Sequence, residues 1–250
     1  MPILQSVGQW WLPVAISQHA VAYDVQFTRT LVVAAIIFIA AQSALVAIVW
    51  RFRDRGTAAS KIETSQSSRL EFYWTTATAI VFLGLLALGG RIWAGVQFTA
   101  APAGAEKIEV LGKQFAWSFR YAGPDGRFGR TNIRFVNDAA GNSFGLDPDD
   151  PSGKDDIVSA TLHVPSGRSV ELTLTSQDVI HSFFVRELRM KQDLVPGMRI
   201  PIHFLANIPG TYEIPCAELC GLGHSQMHTT MIVMPPDAYD RWKREWEQAQ

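Results

Sequence analysis

Two uninterrupted apolar runs constrain this chain more than any other feature. Leu31 to Trp50 is 20 residues without a charge, and Phe72 to Gly90 is another 19. At 1.5 Å per residue the first run makes about 30 Å of helix, the thickness of a bilayer's hydrocarbon core. Apolar runs of about 18 or more residues are rare in water-soluble cores, where a helix keeps one polar face. The two runs are therefore expected to cross a membrane as a hairpin, with spans at 31–50 and 72–93. Trp50, Tyr73, Trp74 and Trp93 stand near their ends, where amphipathic rings favour the boundary between lipid and water.

The residues between the spans set the orientation. Residues 51–71 carry Arg51, Arg53, Arg55, Lys61 and Arg69 against Asp54, Glu63 and Glu71, and Arg29 is the one basic residue before the first span. A basic excess marks the cytoplasmic side, so this loop is expected inside and both termini outside. Residues 1–30 read as an external segment. Ala20-Val21-Ala22 has the small residues of a peptidase site, but no basic stretch precedes it. An attached interfacial segment is favoured over a removed leader.

From residue 95 the character of the chain changes. Apolar runs become short and Gly and Pro punctuate them. Lys107–Gly112, Gln114–Tyr121, Ala160–Val164, Ser169–Thr175, His181–Val185, Arg199–Ala206 and Thr229–Met234 read as strands. The expected fold is an α+β membrane protein: a hairpin over 31–94, an all-β sandwich or open barrel over 95–235, and a C-terminal helix over 236–250. Lys plus Arg is 22 and Asp plus Glu is 23, a net charge of −1, which argues against nucleic acid as a partner. Two cysteines exclude a disulfide framework as the source of the fold.

Those two cysteines fall in the segment that carries the chemistry, Cys216-Ala-Glu218-Leu-Cys220-Gly-Leu-Gly-His224-Ser-Gln-Met227. His181 lies in a separate strand, in Asp178-Val-Ile-His181. A disulfide explains the cysteines but neither the histidines nor the methionine. Zinc takes Cys216, Cys220, His224 and His181 and leaves Met227 idle. Copper suits thiolate, imidazole and thioether together. A mononuclear blue-copper site has one thiolate fewer, whereas two thiolates on one loop can bridge two copper ions, with one histidine on each.

The pattern C-A-E-L-C-x-x-x-H-x-x-M, with D-V-I-H upstream and a hairpin before it, resembles subunit II of the haem–copper respiratory oxidases over nearly the whole chain. The resemblance implies a cupredoxin-like domain with a dinuclear copper centre of the CuA type. It implies that His181, Cys216, Cys220, His224 and Met227 bind copper through side chains and Glu218 through its carbonyl. It further implies that the Glu218 side chain reaches a magnesium ion shared with subunit I.

The family carries an aromatic electron acceptor in a G-H-Q-W-x-W-S segment, which Gly112-Lys-Gln-Phe115-Ala-Trp117-Ser matches. Phe115 stands in place of the first Trp and Lys113 in place of the His; Trp117 reads equally as core. The family also places an acid where Glu71 stands, at the mouth of a proton channel into subunit I. Asp138, Asp147, Asp149, Asp150, Asp155 and Asp156 cluster against Lys154. This loop reads either as solvated surface or as a field that steers a basic cytochrome c.

By resemblance the chain is expected to be the electron-accepting subunit of a proton-pumping terminal oxidase in a bacterial cell membrane. It would take electrons from cytochrome c, or a tethered cytochrome, and pass them to haem in subunit I, where oxygen becomes water. Rival readings are a quinol-oxidase subunit without copper, a membrane-tethered copper-delivery protein and a zinc-stapled module.

Overall fold

A computed structural model of the chain describes residues 12–53 and 68–249. The expectations for residues 1–11 and for Asp54, Arg55, Lys61 and Glu63 of the basic loop lie outside the described residues. Two compact units are present, one holding residues 22–95 and the other residues 12–21 and 96–249.

The first unit is a pair of helices, α1 (Gln18–Arg51, 34 residues) and α2 (Ser68–Gln97, 30 residues), both long and apolar enough to cross a membrane. None of α2's residues is buried, and Ile37, Phe38, Val46, Ile80, Phe82 and Leu86 all face outward. A helix that is apolar all round needs an apolar solvent, since water offers no orientation in which such a surface is covered. The Gln26 side chain donates to the Leu85 carbonyl at 3.4 Å, linking the helices. Helix α1 begins well before Leu31 because Ser17 caps it: Ser17 Oγ accepts from the Ala20 amide at 3.1 Å. Residues 18–30, expected within an external segment, are thus helical and continuous with the span.

The second unit is a β-sandwich. Strands β1 (Glu106–Lys113), β2 (Ala116–Tyr121), β3 (Ile157–Ser159), β5 (Ser169–Ser176) and β8 (Ile200–Leu205) form a five-stranded sheet in the order β3-β2-β1-β5-β8. Facing strands β4 (Leu162–Pro165), β9 (Gly210–Pro215) and β10 (His228–Met234) pair in the order β4-β10-β9. A hairpin of β6 (His181–Val185) and β7 (Met190–Leu194) joins β9 through a bridge between Phe183 and Cys216. Strand β5 shows the period-two pattern that makes a half-buried strand, with Val170, Leu172 and Leu174 inside and the residues between them partly exposed. Val164, Leu188, Phe204, Ile214 and Val233 complete the core. After the sheets comes α4 (Pro236–Ala249), which buries Tyr239 and packs Trp242 edge-on against Tyr121.

Strands β3, β7 and β9 were not read from the sequence. Residues 122–156 connect β2 to β3 over the outer face of the large sheet and include a single-turn helix, α3 (Pro151–Lys154), capped by Asp150. This cover explains why polar residues of β1 and β2 are buried. Arg120 donates to Glu109, to Asp156 at 3.1 Å and to the Gly129 carbonyl at 3.0 Å.

Residues 12–21 also belong to this core. The Ile16 side chain is 1% exposed, its amide donates to the Glu187 carbonyl at 3.1 Å, and its carbonyl accepts from the Asn207 amide at 2.7 Å. Ala20 is fully buried and helical, so a peptidase would have to unfold this segment to reach the Ala20-Val21-Ala22 bond.

Candidate metal centre

The two thiols sit at the end of β9 and in the loop that follows. Strand β9 delivers Cys216, whose amide donates to the Met227 carbonyl at 2.9 Å and so closes the base of the loop 216–227. Ala217 donates to the Ser182 carbonyl at 3.0 Å, fastening that loop to β6 and hence to His181. The sulfurs of Cys216 and Cys220 are 3.9 Å apart; both thiols are free and buried. A disulfide bond of about 2.0 Å is therefore not formed.

Around the sulfurs the other donors are divided. His181 Nδ1 lies 3.9 Å from Cys216 Sγ, and His224 Nδ1 lies 3.6 Å from Cys220 Sγ. The Met227 thioether is 3.7 Å from Cys220 Sγ, and the Glu218 carbonyl is 3.2 Å from Cys216 Sγ. Ligand atoms of His181, Cys216 and Cys220 all fall within 4.8 Å of one another, and all three residues are buried. All six residues expected at a metal thus converge.

The tautomer of His181 is fixed by a carboxylate. Asp178 Oδ1 lies 2.8 Å from His181 Nε2. An ionised carboxylate can only accept, so Nε2 carries the proton and the lone pair of Nδ1 faces the sulfur, as a metal requires. Burial works to raise the Asp178 pKa, but the Gln114 amide, the His181 ring and the Val179 amide win and hold it below the usual range. The Cys220 thiol is pushed up to about 11, first by burial and then by neighbouring Cys216. A bound cation would reverse the rise at Cys220 by deprotonating the thiols and would reinforce the depression at Asp178.

Phe115 is not on a strand. Gln114 and Phe115 form the two-residue turn between β1 and β2, since Lys113 pairs with Ala116. The turn lies against the metal loop: Gln114 Nε2 donates to the Cys220 carbonyl at 2.6 Å, and its amide donates to Asp178 Oδ2 at 2.7 Å. A Cβ at Gly223 would stand 2.4 Å from the Phe115 ring, and one at Gly221 would stand 2.8 Å from Gln114 Nε2 at a backbone φ of +133°. Both glycines are needed for the ring to reach this close. Phe115 remains 40% exposed. Trp117 is core: it is 3% exposed and meets His181 and Phe183 edge-on at 6.2 and 6.3 Å. Glu71 is exposed in the first turn of α2, where an acid complements the helix dipole.

Sequence reasoning placed Asp178 and Asp193 only as acids near the metal segment and passed over Gln114; in the structure all three hold the candidate ligands in place. Asp193 accepts from Ser182 and from Lys191 at 2.7 and 2.8 Å, and Lys191 reaches the Glu218 carboxylate at 4.0 Å. Their signal was present in the D-V-I-H motif for Asp178 alone. In the Asp-rich loop, four of the six aspartates are paired. Asp138 pairs with Lys113, Asp147 and Asp150 with Arg130 at 3.1 and 3.6 Å, and Asp156 with Arg120.

Comparison with known proteins gives the same family along both units. Residues 107–234 match the model of the cytochrome c oxidase subunit II periplasmic domain, and residues 5–89 match that of its transmembrane domain. The alternative cytochrome c oxidase subunit 2 of Bradyrhizobium diazoefficiens is 36% identical over 236 residues, covering 93% of this chain and 82% of that protein. Cytochrome c oxidase subunit 2 of Thermostichus vulcanus is 29% identical, covering 94% and 78%. Among solved structures, the periplasmic domain of cytochrome oxidase subunit II from Bradyrhizobium japonicum is 25% identical with a TM-score of 0.43, covering 60% of this chain and 99% of that one.

Proposed function

Because this chain belongs to the cytochrome c oxidase subunit II family, a membrane component of haem–copper oxidases, we propose that it is the electron-accepting subunit of a proton-pumping oxidase. It takes electrons from cytochrome c at two copper ions and passes them to haem in subunit I, where oxygen is reduced to water. The β-domain and both termini face the outer side of a bacterial cell membrane.

One observation carries this reading. Two sulfurs stand 3.9 Å apart with one histidine beside each. Two sulfurs bound to one ion at about 2.3 Å and a tetrahedral angle lie about 3.8 Å apart, so the pair can share metals without rearrangement. A single zinc ion would draw all four ligand atoms within about 4.6 Å of one another. His224 stands outside the group of three that meets such a limit and joins it through Cys220. That division supports two metal positions, with Met227 and the Glu218 carbonyl as weaker donors.

A thiolate-bridged copper pair spreads one electron over two nuclei, which keeps structural change on transfer small. The chain's own residues supply the frame. Asp178 holds His181 in the binding tautomer, the 216–227 loop is closed by its own backbone, and burial keeps water from the sulfurs. Glu218 turns its carbonyl inward and leaves its side chain half-exposed for magnesium at the contact with subunit I. Glu71 takes the place of the acid at the mouth of the proton channel.

Loading the full chain with copper in detergent tests the reading. Two copper ions per chain and an EPR signal of one electron over two equivalent nuclei are expected. One copper, or zinc without colour, overturns it.

A further inference from the structure

The donors of the metal centre come from two separate pieces of chain. His181 opens β6, whereas Cys216, Glu218, Cys220, His224 and Met227 belong to the loop that follows β9. The near end of that loop is secured. The Cys216 amide donates to the Met227 carbonyl at 2.9 Å, the Ala217 amide donates to the Ser182 carbonyl at 3.0 Å, and Cys216 bridges Phe183. The far end has only internal turns, with the His224 amide on the Gly221 carbonyl at 3.1 Å and the Gln226 amide on the Gly223 carbonyl at 2.9 Å. Among the described residues, a single hydrogen bond joins residues 219–226 to anything outside the loop, and Gln114 makes it.

Gln114 stands at the tip of the β1–β2 hairpin and reaches both pieces. Its side-chain Nε2 donates to the Cys220 carbonyl at 2.6 Å, and its main-chain amide donates to Asp178 Oδ2 at 2.7 Å. The other oxygen of that carboxylate lies 2.8 Å from His181 Nε2. Three consecutive hydrogen bonds therefore run from His181 through Asp178 and Gln114 to Cys220. The tip is itself anchored. Lys113 pairs with Asp138 and donates to Ser143 Oγ at 3.1 Å, and the Gly112 carbonyl accepts from the Gln177 amide at 3.0 Å. Gly112 also lies against the His181 ring, where a Cβ would stand 3.2 Å from it.

We propose that Gln114 is a positioning residue that ties the two donor groups together, holding the Cys220–His224 half of the centre at a set distance from the Cys216–His181 half. The inference rests on the two-metal reading above and deepens it. Two nuclei share an electron equally only when their surroundings match, and a loop end free to drift would unbalance them. A partner outside the ligand set controls such geometry without touching the metal. A primary amide suits the task because it donates without carrying a charge that would favour one nucleus. Glutamate has the same shape but, when ionised, no proton to donate, and it would face the Cys220 carbonyl with a second acceptor.

The first measurement needs no metal. Iodoacetamide labelling of the reduced, metal-free full chain in detergent is followed at each cysteine by peptide mass spectrometry. Cys216 and Cys220 are 7% and 4% exposed in the intact chain. Gln114→Ala keeps the amide bond to Asp178 and removes the tie to Cys220. Cys220 should then be alkylated about 3- to 10-fold faster, the range that one ordinary hydrogen bond confers, with Cys216 unchanged. Gln114→Glu should act in the same direction although it preserves the shape. The second measurement is EPR of the copper-loaded chain. Both variants should still bind two copper ions, since none of the six donors is altered, but the electron's couplings to the two nuclei should become unequal.

An unchanged Cys220 rate overturns the proposal, because the far end of the loop then holds itself. Equal acceleration at both cysteines also overturns it, since the variant then loosens the whole site. Equal couplings in copper-loaded Gln114→Glu do the same, because shape alone then suffices. Should Gln114→Ala not fold, the isosteric Gln114→Glu carries both measurements. One copper per wild-type chain, or none, is a different result: it counts against the two-metal reading, and the tie to Cys220 is then decided by the labelling alone.

Discussion

The hairpin and the β-domain use the same apolar residue types in opposite directions. In α1 and α2 the large side chains point outward and nothing in α2 is buried, whereas in β5 every second residue is turned in and fully covered. Water forces the second arrangement and lipid permits the first. A segment that is apolar all round therefore announces its solvent but not its neighbours. An alternating strand announces its neighbours' side directly, because half of its residues must find a core.

This contrast can be tested where it predicts separable behaviour, beginning with the largest effect. Cys216→Ser or Cys220→Ser removes one of the two sulfurs at the centre and should abolish the shared-electron EPR signal. The membrane-bound fraction of the chain should not change, and loss of insertion would show that the units are not independent. Leu172→Ala, at a position with no exposure, should lower β-domain stability by about 2–5 kcal/mol through lost burial and a residual cavity. Ile39→Ala, 62% exposed on α1, should shift the same thermal transition by less than about 0.5 kcal/mol. Similar losses from both would break the contrast.

The third effect depends on pH. Burial pushes the Asp156 carboxyl from 3.8 to about 6, against the Gly129 amide and Arg120, which lower it. The folded state therefore binds the proton more tightly than the unfolded chain does. This group's stabilisation is full below about pH 4 and is lost as pH rises through 6. With solvent screening the change is on the order of 1 kcal/mol. Asp156→Asn should flatten the melting temperature of the β-domain over that window, and an unchanged slope would remove Asp156 as its source. The smallest effect concerns the exposed pair of Arg168 and Asp240, two contacts of 2.8 Å each. Arg168→Ala should cost under about 1 kcal/mol in the same melt, despite the good geometry.

What was legible in the sequence follows the same division. The convergence of the six candidate ligands was readable because five of them fall within twelve residues, and a loop closed by one hydrogen bond has few ways to arrange them. Both spans were readable from length. The strands that escaped notice had physical reasons to do so. Strand β9 starts at a glycine and ends at a proline, β3 is three residues long, and β7 reads Met-Lys-Gln-Asp-Leu because only its ends are buried. Phe115 was placed in a strand because a two-residue turn leaves no gap in the aromatic alternation. The Asp-rich loop stayed open between two readings because composition shows charges, and only packing shows which of them are paired, as Asp138, Asp147, Asp150 and Asp156 are.

The seat of Ile16 bears on the order in which the molecule is made. Ile16 leaves the ribosome before either helix, yet Asn207, which closes over it, is synthesised after most of the sandwich. The contact is among the longest in sequence that the domain contains, so its closure comes late and the earlier-made segment must wait for its partner. A chain begun after the hairpin would fold around an apolar seat with no occupant, exposing Leu188 and Ala206 near its walls. Fragments of that kind should be less soluble and lower-melting than the β-domain inside the whole chain, because the domain begins twice, once on each side of the membrane spans.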